Sequence, residues 1–205
     1  MPAGAPADAG FVGEAALEPG RLIDRFADYL EILDRLLRGE TVTLEGRQYA
    51  TTGAVIVPSI QRPRPPFVIA AHGPRGFRLV VRYADTWNTL GGQPMRGAAA
   101  DPVTLDQAIV ATRTQIAQLE AACEAIGRDP KTIRRSVLAY RTQVFASTDA
   151  FEDYVGRYQE LGFDECIAYW PAQPETYAPL PEHEAVMERV AADVLPRHRV
   201  DSAKT

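Results

Sequence analysis

The chain has 205 residues, 46% of them hydrophobic, with 22 Lys and Arg against 27 Asp and Glu for a net charge of −5. That is enough apolar material for one ordinary domain or two small ones with a real core. Acids and bases are mixed along the chain without a basic stripe, which argues against nucleic acid as a partner, and no apolar run approaches the roughly 20 residues that span a membrane. The start, MPAGAPADAG, has neither the basic first residues nor the apolar core of a secretion signal, so residues 1–16 read as a flexible lead-in. Cys123 and Cys166 lie far apart, each among apolar neighbours, as expected of reduced thiols in a cytoplasmic protein rather than of a disulfide framework.

Leu22, Phe26, Leu30, Leu33 and Leu37 recur at helical spacing, and Gly39 stands just beyond them as a stop, so a helix is predicted over Pro19–Arg38. Its Asp24/Arg25 and Asp34/Arg35 pairs read as a solvated face. In TVTLEGRQYATTGAVIV, Val42 and Leu44 alternate with polar residues, Glu45-Gly46 offers a turn, and Tyr49 follows, the pattern of a β-hairpin. PSIQRPRPPF, with four prolines, is an extended connector. Short strands are then predicted at Phe67–Ala71, Ala84–Asn88, Ser136–Phe145 and Glu165–Trp170. Helices follow at Pro74–Tyr83, along the face Leu105, Ile109, Thr112, Ile116, Leu119, Cys123 and Ile126, from a capping box of Asp149 and Glu152 to Gly162, and over Glu182–Leu195. Residues 196–205 read as a tail.

Residues 67–195 therefore repeat strand-then-helix four times, the signature of a parallel sheet covered by helices. Two α/β architectures satisfy this order: a small doubly wound sheet, or half of a (β/α)8 barrel. In both, ligands bind at the carboxyl ends of the strands, where the elbow HGPRG, residues 72–76, stands. Its glycines allow close backbone approach, the helix that follows offers unpaired N–H groups, and Arg75 carries a charge suited to a phosphate. The competing reading is a tight turn with a solvent-facing arginine. His72 is either a ligand or base, or a loop histidine bonded to backbone. Trp87 and Asn88, at the end of the next strand, either wall a ring-shaped ligand or, for Trp87, fill the core. No metal-ligand cluster, Walker A loop or Gly-x-Ser-x-Gly elbow is present.

DRFADYLEILDRLLRGETVTLEGRQY followed by QRPRPPFVIAAHGPRGFRLVVRYADTWNT resembles the luciferase-like monooxygenase family, flavin- or F420-dependent oxidoreductases on a TIM barrel. LEAACEAIGRDPKTIRRSV and LGFDECIAYW are similar to its later strands and helices. The resemblance implies a partial (β/α)8 barrel over residues 17–195, made of four C-terminal βα units plus an N-terminal helix and β-hairpin insertion. It implies a cofactor, coenzyme F420 or FMN, whose phosphate is held by Ala71, His72, Gly73, Pro74, Arg75 and Gly76, with Trp87 and Asn88 near its ring system, and a small organic substrate. The wording around HGPRG is nearer to deazaflavin-using members. Four earlier βα units of the family have no counterpart here, which implies a truncated barrel, no carried-over catalytic residue, and a chain that forms a homo-oligomer or pairs with a missing half. The rival expectation is a non-catalytic half-barrel that serves binding or assembly. A third is an unrelated phosphate-binding α/β enzyme.

Overall fold

The computed structural model describes residues 17–57, 60–92, 103–139, 142–169 and 181–198. The expected lead-in, the end of the tail and most of the glycine- and alanine-rich loop lie outside these. The chain divides into two compact units, residues 1–88 with 117–134, and residues 89–116 with 135–205.

In the first unit, helix α1 spans Pro19–Leu37 and buries Leu22, Phe26 and Leu30. It stops where the sequence places the stop: Gly39 takes φ 84°, and its N–H reaches the Leu36 carbonyl at 2.9 Å. Strands β1 (Val42–Glu45) and β2 (Ala50–Ala54) pair antiparallel as the expected hairpin. A carboxylate of α1 holds the backbone of the hairpin's turn. Asp28 Oδ2 accepts the N–H groups of Gln48 at 2.6 Å and Tyr49 at 3.0 Å. A Cβ at Gly46 would fall 2.4 Å from that carboxyl carbon, so the turn needs glycine for close approach.

Strand β3 (Val68–Ala70), helix α2 (Pro74–Tyr83) and strand β4 (Thr86–Thr89) form the expected βαβ unit. β3 and β4 run parallel, with Val68 opposite Thr86, Ile69 opposite Trp87 and Ala70 opposite Asn88. Both strands are shorter at their starts than predicted, because Asp85 N–H and Thr86 N–H turn back to the Phe67 carbonyl before the ladder begins. Ile69, Phe77, Val80 and Trp87 are fully buried between strands and helix. Arg128 closes the far end of α2, giving Nη1–H to the Val81 carbonyl and Nη2–H to the Ala84 carbonyl, each at 2.9 Å. These carbonyls have no intrahelical partner, and a cation at a helix C-terminus also suits the dipole.

Asp24 and Asp34 correct one expectation. They do not form a merely solvated face. Asp34 Oδ1 accepts from Arg64 Nε and Asp34 Oδ2 from Arg38 Nε at 2.8 Å, while Asp24 receives Arg75 at 2.6 Å and Arg47 at 3.3 Å. Arg64, from the proline-rich connector, is itself 8% exposed.

Helix α3 (Leu105–Glu124) gives its first turns to the second unit and its last two to the first. Ile109, Thr112, Leu119 and Cys123 are buried along the predicted face. Ile126 leaves that face. It lies past the end of the helix, in the turn closed by Gly127 at φ 69°, and is 59% exposed.

In the second unit, β5 (Arg134–Ala139) and β6 (Glu165–Ala168) pair in parallel, with Val137 opposite Cys166 and Leu138 opposite Ile167. β5 begins two residues before the predicted strand, and Val144 and Phe145 lie in turns beyond it. Helix α4 (Thr148–Glu160) connects the pair and buries Phe151, Tyr154 and Tyr158. Its cap is Ser147, not Asp149: the Ser147 hydroxyl oxygen accepts the Ala150 N–H at 3.0 Å. STD offers three consecutive capping residues, and local sequence does not rank them. Helix α5 (Pro181–Arg189) continues as a wider turn over Val190–Val194 and a tight one over Leu195–His198, so the predicted single helix has three geometries. Cys123 is buried and Cys166 half-buried, and neither is in a disulfide. Burial, with Glu165 beside it, pushes the Cys166 thiol up to about 11, so it is protonated and unreactive at neutral pH. Among the described residues no helix is long and apolar enough to cross a membrane, and no group of three or more His, Cys, Asp and Glu is placed to hold a metal.

Candidate functional site

The elbow between β3 and α2 brings Ala71 through Gly76 to the carboxyl end of β3, as the chain order requires. Each residue there has a distinct job. Ala71 is buried, and its carbonyl accepts the Trp87 indole N–H at 3.0 Å. Trp87 is 0% exposed and meets Phe77 edge-on, with ring centroids 5.7 Å apart. In this structure the indole packs as core. Its effect on the elbow is to fix where the strand ends. Asn88, next along β4, is half-buried.

Gly73 caps α2 in extended backbone, φ −158° and ψ 170°, which any residue adopts. Its carbonyl takes the first intrahelical bond, from Phe77 N–H at 2.9 Å. The Arg75 and Gly76 N–H groups precede that bond and belong to the helix's unpaired first turn, where the dipole is positive. Pro74 fills the first helical position, where a missing N–H costs nothing. A Cβ on Gly73 meets nothing within 4 Å among the described residues, which leave the space over the cap open. Gly76 differs: a Cβ there would stand 2.9 Å from the Ala71 Cβ, so it is needed to seat the helix against the strand end.

Arg75 is not simply solvent-facing. Its Nη2 donates to Asp24 Oδ1 at 2.6 Å, and its Nη1 to the Gly20 carbonyl at 3.3 Å. The start of α1 thus holds the guanidinium at the mouth of the elbow, and Asp24 neutralises part of its charge. Sequence reading missed Asp24, which is 51 residues away and carries no local signal of the pairing.

His72 is half-buried, and its Nδ1 is buried with no hydrogen-bond partner among the described residues. Burial holds the imidazole below its ordinary value of 6.5, so it is neutral at pH 7. The unfolded chain takes up a proton near pH 6.5 where the folded one resists it. Stability therefore falls as pH drops from 6.5 towards the lowered folded value. Urea midpoints at pH 7.5 and 5.5 check this: the decline is expected to be smaller in His72→Asn than in the parent, and equal declines would mean that the imidazole is not the group resisting protonation.

Comparison with known proteins adds the following. The profile of the luciferase-like monooxygenase family matches residues 3–192. Among solved structures, a coenzyme F420-dependent tetrahydromethanopterin reductase from Methanopyrus kandleri is 14% identical at a TM-score of 0.63, over 97% of this chain and 73% of its own. A monooxygenase from Streptomyces bottropensis is 16% identical at 0.58, over 95% and 66%. A riboflavin lyase with modified FMN and riboflavin is 17% identical at 0.50, over 78% and 36%. The chain thus spans between about a third and three quarters of these relatives. At such identities the likeness speaks to the fold.

Proposed function

The chain belongs to the luciferase-like monooxygenase family, and from that premise we propose that it is part of a flavin- or F420-dependent oxidoreductase whose cofactor phosphate is held by the elbow at residues 71–76. The single observation that carries the reading is the open cap at Gly73, at the start of the helix whose first-turn amides belong to Arg75 and Gly76. These are donors at the positive end of a helix, a set suited to a phosphate. In this reading, the four strand–helix repeats are consecutive units of a (β/α)8 barrel.

Each residue has a part in this reading. Backbone N–H groups of Arg75 and Gly76 bind the anion, and Arg75 adds a charge whose direction Asp24 sets. Trp87 and Gly76 hold the strand end and the helix start at a fixed separation, so the cradle is preformed. Asn88, at the end of β4, faces the cofactor's ring system. When bound, a deazaflavin supplies hydride transfer, and FMN can in addition supply oxygen chemistry. The substrate is a small organic molecule. Cofactors named for two of the solved relatives, F420 and FMN, are the two candidates here.

The test uses the contrast between the two glycines. Gly73→Ala places its methyl in open space without backbone strain, so the unfolding free energy is expected to stay within about 0.5 kcal/mol of the parent. A phosphate lying over the cap would collide with that methyl, and FMN or F420 affinity, followed by fluorescence titration, is expected to fall at least about tenfold, equal to ~1.4 kcal/mol. Amide NMR shifts on adding inorganic phosphate are expected to be largest at Gly73, Arg75 and Gly76. Unchanged affinity in Gly73→Ala, with shifts elsewhere, overturns the reading.

A further inference from the structure

Helix α2 carries a stripe that the cofactor reading does not use. Phe77 and Val81, with Arg78 and Arg82 beside them, recur one turn apart along one face. The end of α3 runs beside this stripe and presents Ala121, Ala122 and Ala125 to it. Alanine methyls are too short to close the gap, and a groove of about 540 Å³ is left between the two elements, entirely within the first unit. Its floor is the buried Phe77 and Val81. Ile126 lines it too, which gives that exposed aliphatic side chain a place at the edge of an apolar channel.

The rim is basic. Arg78 is exposed and has no hydrogen-bond, ion-pair or ring partner among the described residues. Arg82 lies 5.0 Å over the Tyr83 ring and reaches Glu31 only at 3.8 Å, and 64% of its side chain stays in water. No acidic side chain is among the described walls of the groove. Residues four apart on a helix stand about 6 Å apart along its axis. The two guanidiniums therefore match a pair of carboxylates spaced one turn apart on another helix.

We propose that this groove docks an amphipathic helix of a partner protein, with its aliphatic side chains in the channel and carboxylates one turn apart against Arg78 and Arg82. The occupant is a helix because the walls offer side chains alone. Backbone groups of α2 and α3 are spent within their own helices, so an extended segment would leave its N–H and C=O groups unpaired against the groove. A helix arrives with its backbone already bonded. From Pro74 to Arg82 the helical rise is about 12 Å, room for two turns of the incoming helix. Because the groove reaches Pro74, the partner is seated beside the elbow.

Fluorescence anisotropy on the whole chain tests this. The probe is a labelled peptide of about 18 residues, long enough to hold a helix. It has leucines at i, i+3, i+4 and i+7 and two glutamates one turn apart beside them, and its twin carries lysines in place of the glutamates. The acidic probe is expected to bind with a dissociation constant of about 10–100 μM, and the lysine twin at least about tenfold more weakly. Arg78→Glu, at an exposed position, is expected to abolish that preference. Ala122→Leu fills the channel and is expected to weaken the acidic probe at least about tenfold. Both variants keep the parent's far-UV circular dichroism, and their FMN titrations match the parent's, which separates this surface from the cofactor elbow. A parent that binds both probes equally, or neither, overturns the proposal. So does acidic-probe binding that survives both variants. Displacement of the probe by dodecanoate at a concentration below the probe's own dissociation constant also overturns it, and would assign the groove to a small amphiphile.

Discussion

Arg64→Ala is expected to lower the unfolding free energy by about 3–5 kcal/mol, the range for stripping one partner from a buried ionic network. The guanidinium uses nearly all its donors. Nε bonds Asp34, Nη1 bonds Asp85 at 2.7 Å and the Pro65 carbonyl at 2.8 Å, and Nη2 bonds the Tyr83 carbonyl at 2.7 Å. Its plane also lies 3.8 Å above the Phe67 ring. One side chain therefore ties α1, the connector, the start of β3 and the end of α2. Asp85 is 46% exposed and regains water when Arg64 is lost, whereas Asp34, at 14%, does not. The loss is thus expected nearer the lower end of the range. Lysine is expected not to rescue it, because a point charge cannot bond four acceptors in a planar fork. Urea unfolding followed by fluorescence measures the effect, and a loss below about 1 kcal/mol contradicts it. The same network sets an acid limb. Burial alone would raise the Asp34 carboxyl, but hydrogen bonds from Arg38 and Arg64 outweigh it and hold the group below 3.8. A lowered carboxylate contributes stability that is fully present above its unfolded value and is lost as pH falls through the folded one. Asp34→Asn is therefore expected to flatten the stability profile below about pH 4.

Gly92→Ala is expected to cost about 2–5 kcal/mol, from two sources that add. Gly92 sits at φ 72°, and an alanine forced there pays roughly 1–2 kcal/mol. Its Cβ would also lie 2.3 Å from the Ala111 Cβ and 2.9 Å from the Ala111 carbonyl carbon, so helix α3 must move, at roughly 1–3 kcal/mol. Gly53→Ala separates the two effects. It shares a positive φ of 60°, but its Cβ would meet nothing within 4 Å, so only the backbone cost of about 1–2 kcal/mol is expected. Thermal unfolding of both variants checks the difference, and equal losses would show that contact with Ala111 does not matter.

Local spacing determined a good deal of this protein. The apolar period of Leu22, Phe26 and Leu30 marked α1, and Gly39 and Gly127 marked helix ends, because periodicity and left-handed turns are properties of neighbouring residues. Alternation of short apolar runs with helices called for parallel strands, which cannot be joined without a crossover. HGPRG was legible as a possible anion site because a glycine-flanked strand-to-helix turn is itself a local pattern. Tertiary structure decided the rest. Only folding brings Asp24 to Arg75, 51 residues apart, and turns Asp34 from a surface acid into the acceptor for Arg64. Only folding buries Trp87 against Phe77, since a strand's two faces look alike until something covers one. The two elbow glycines read identically in sequence, yet Gly76 is packed against Ala71 and Gly73 opens on empty space. That difference depends on what lies across the turn, and it is the one on which the functional proposal rests.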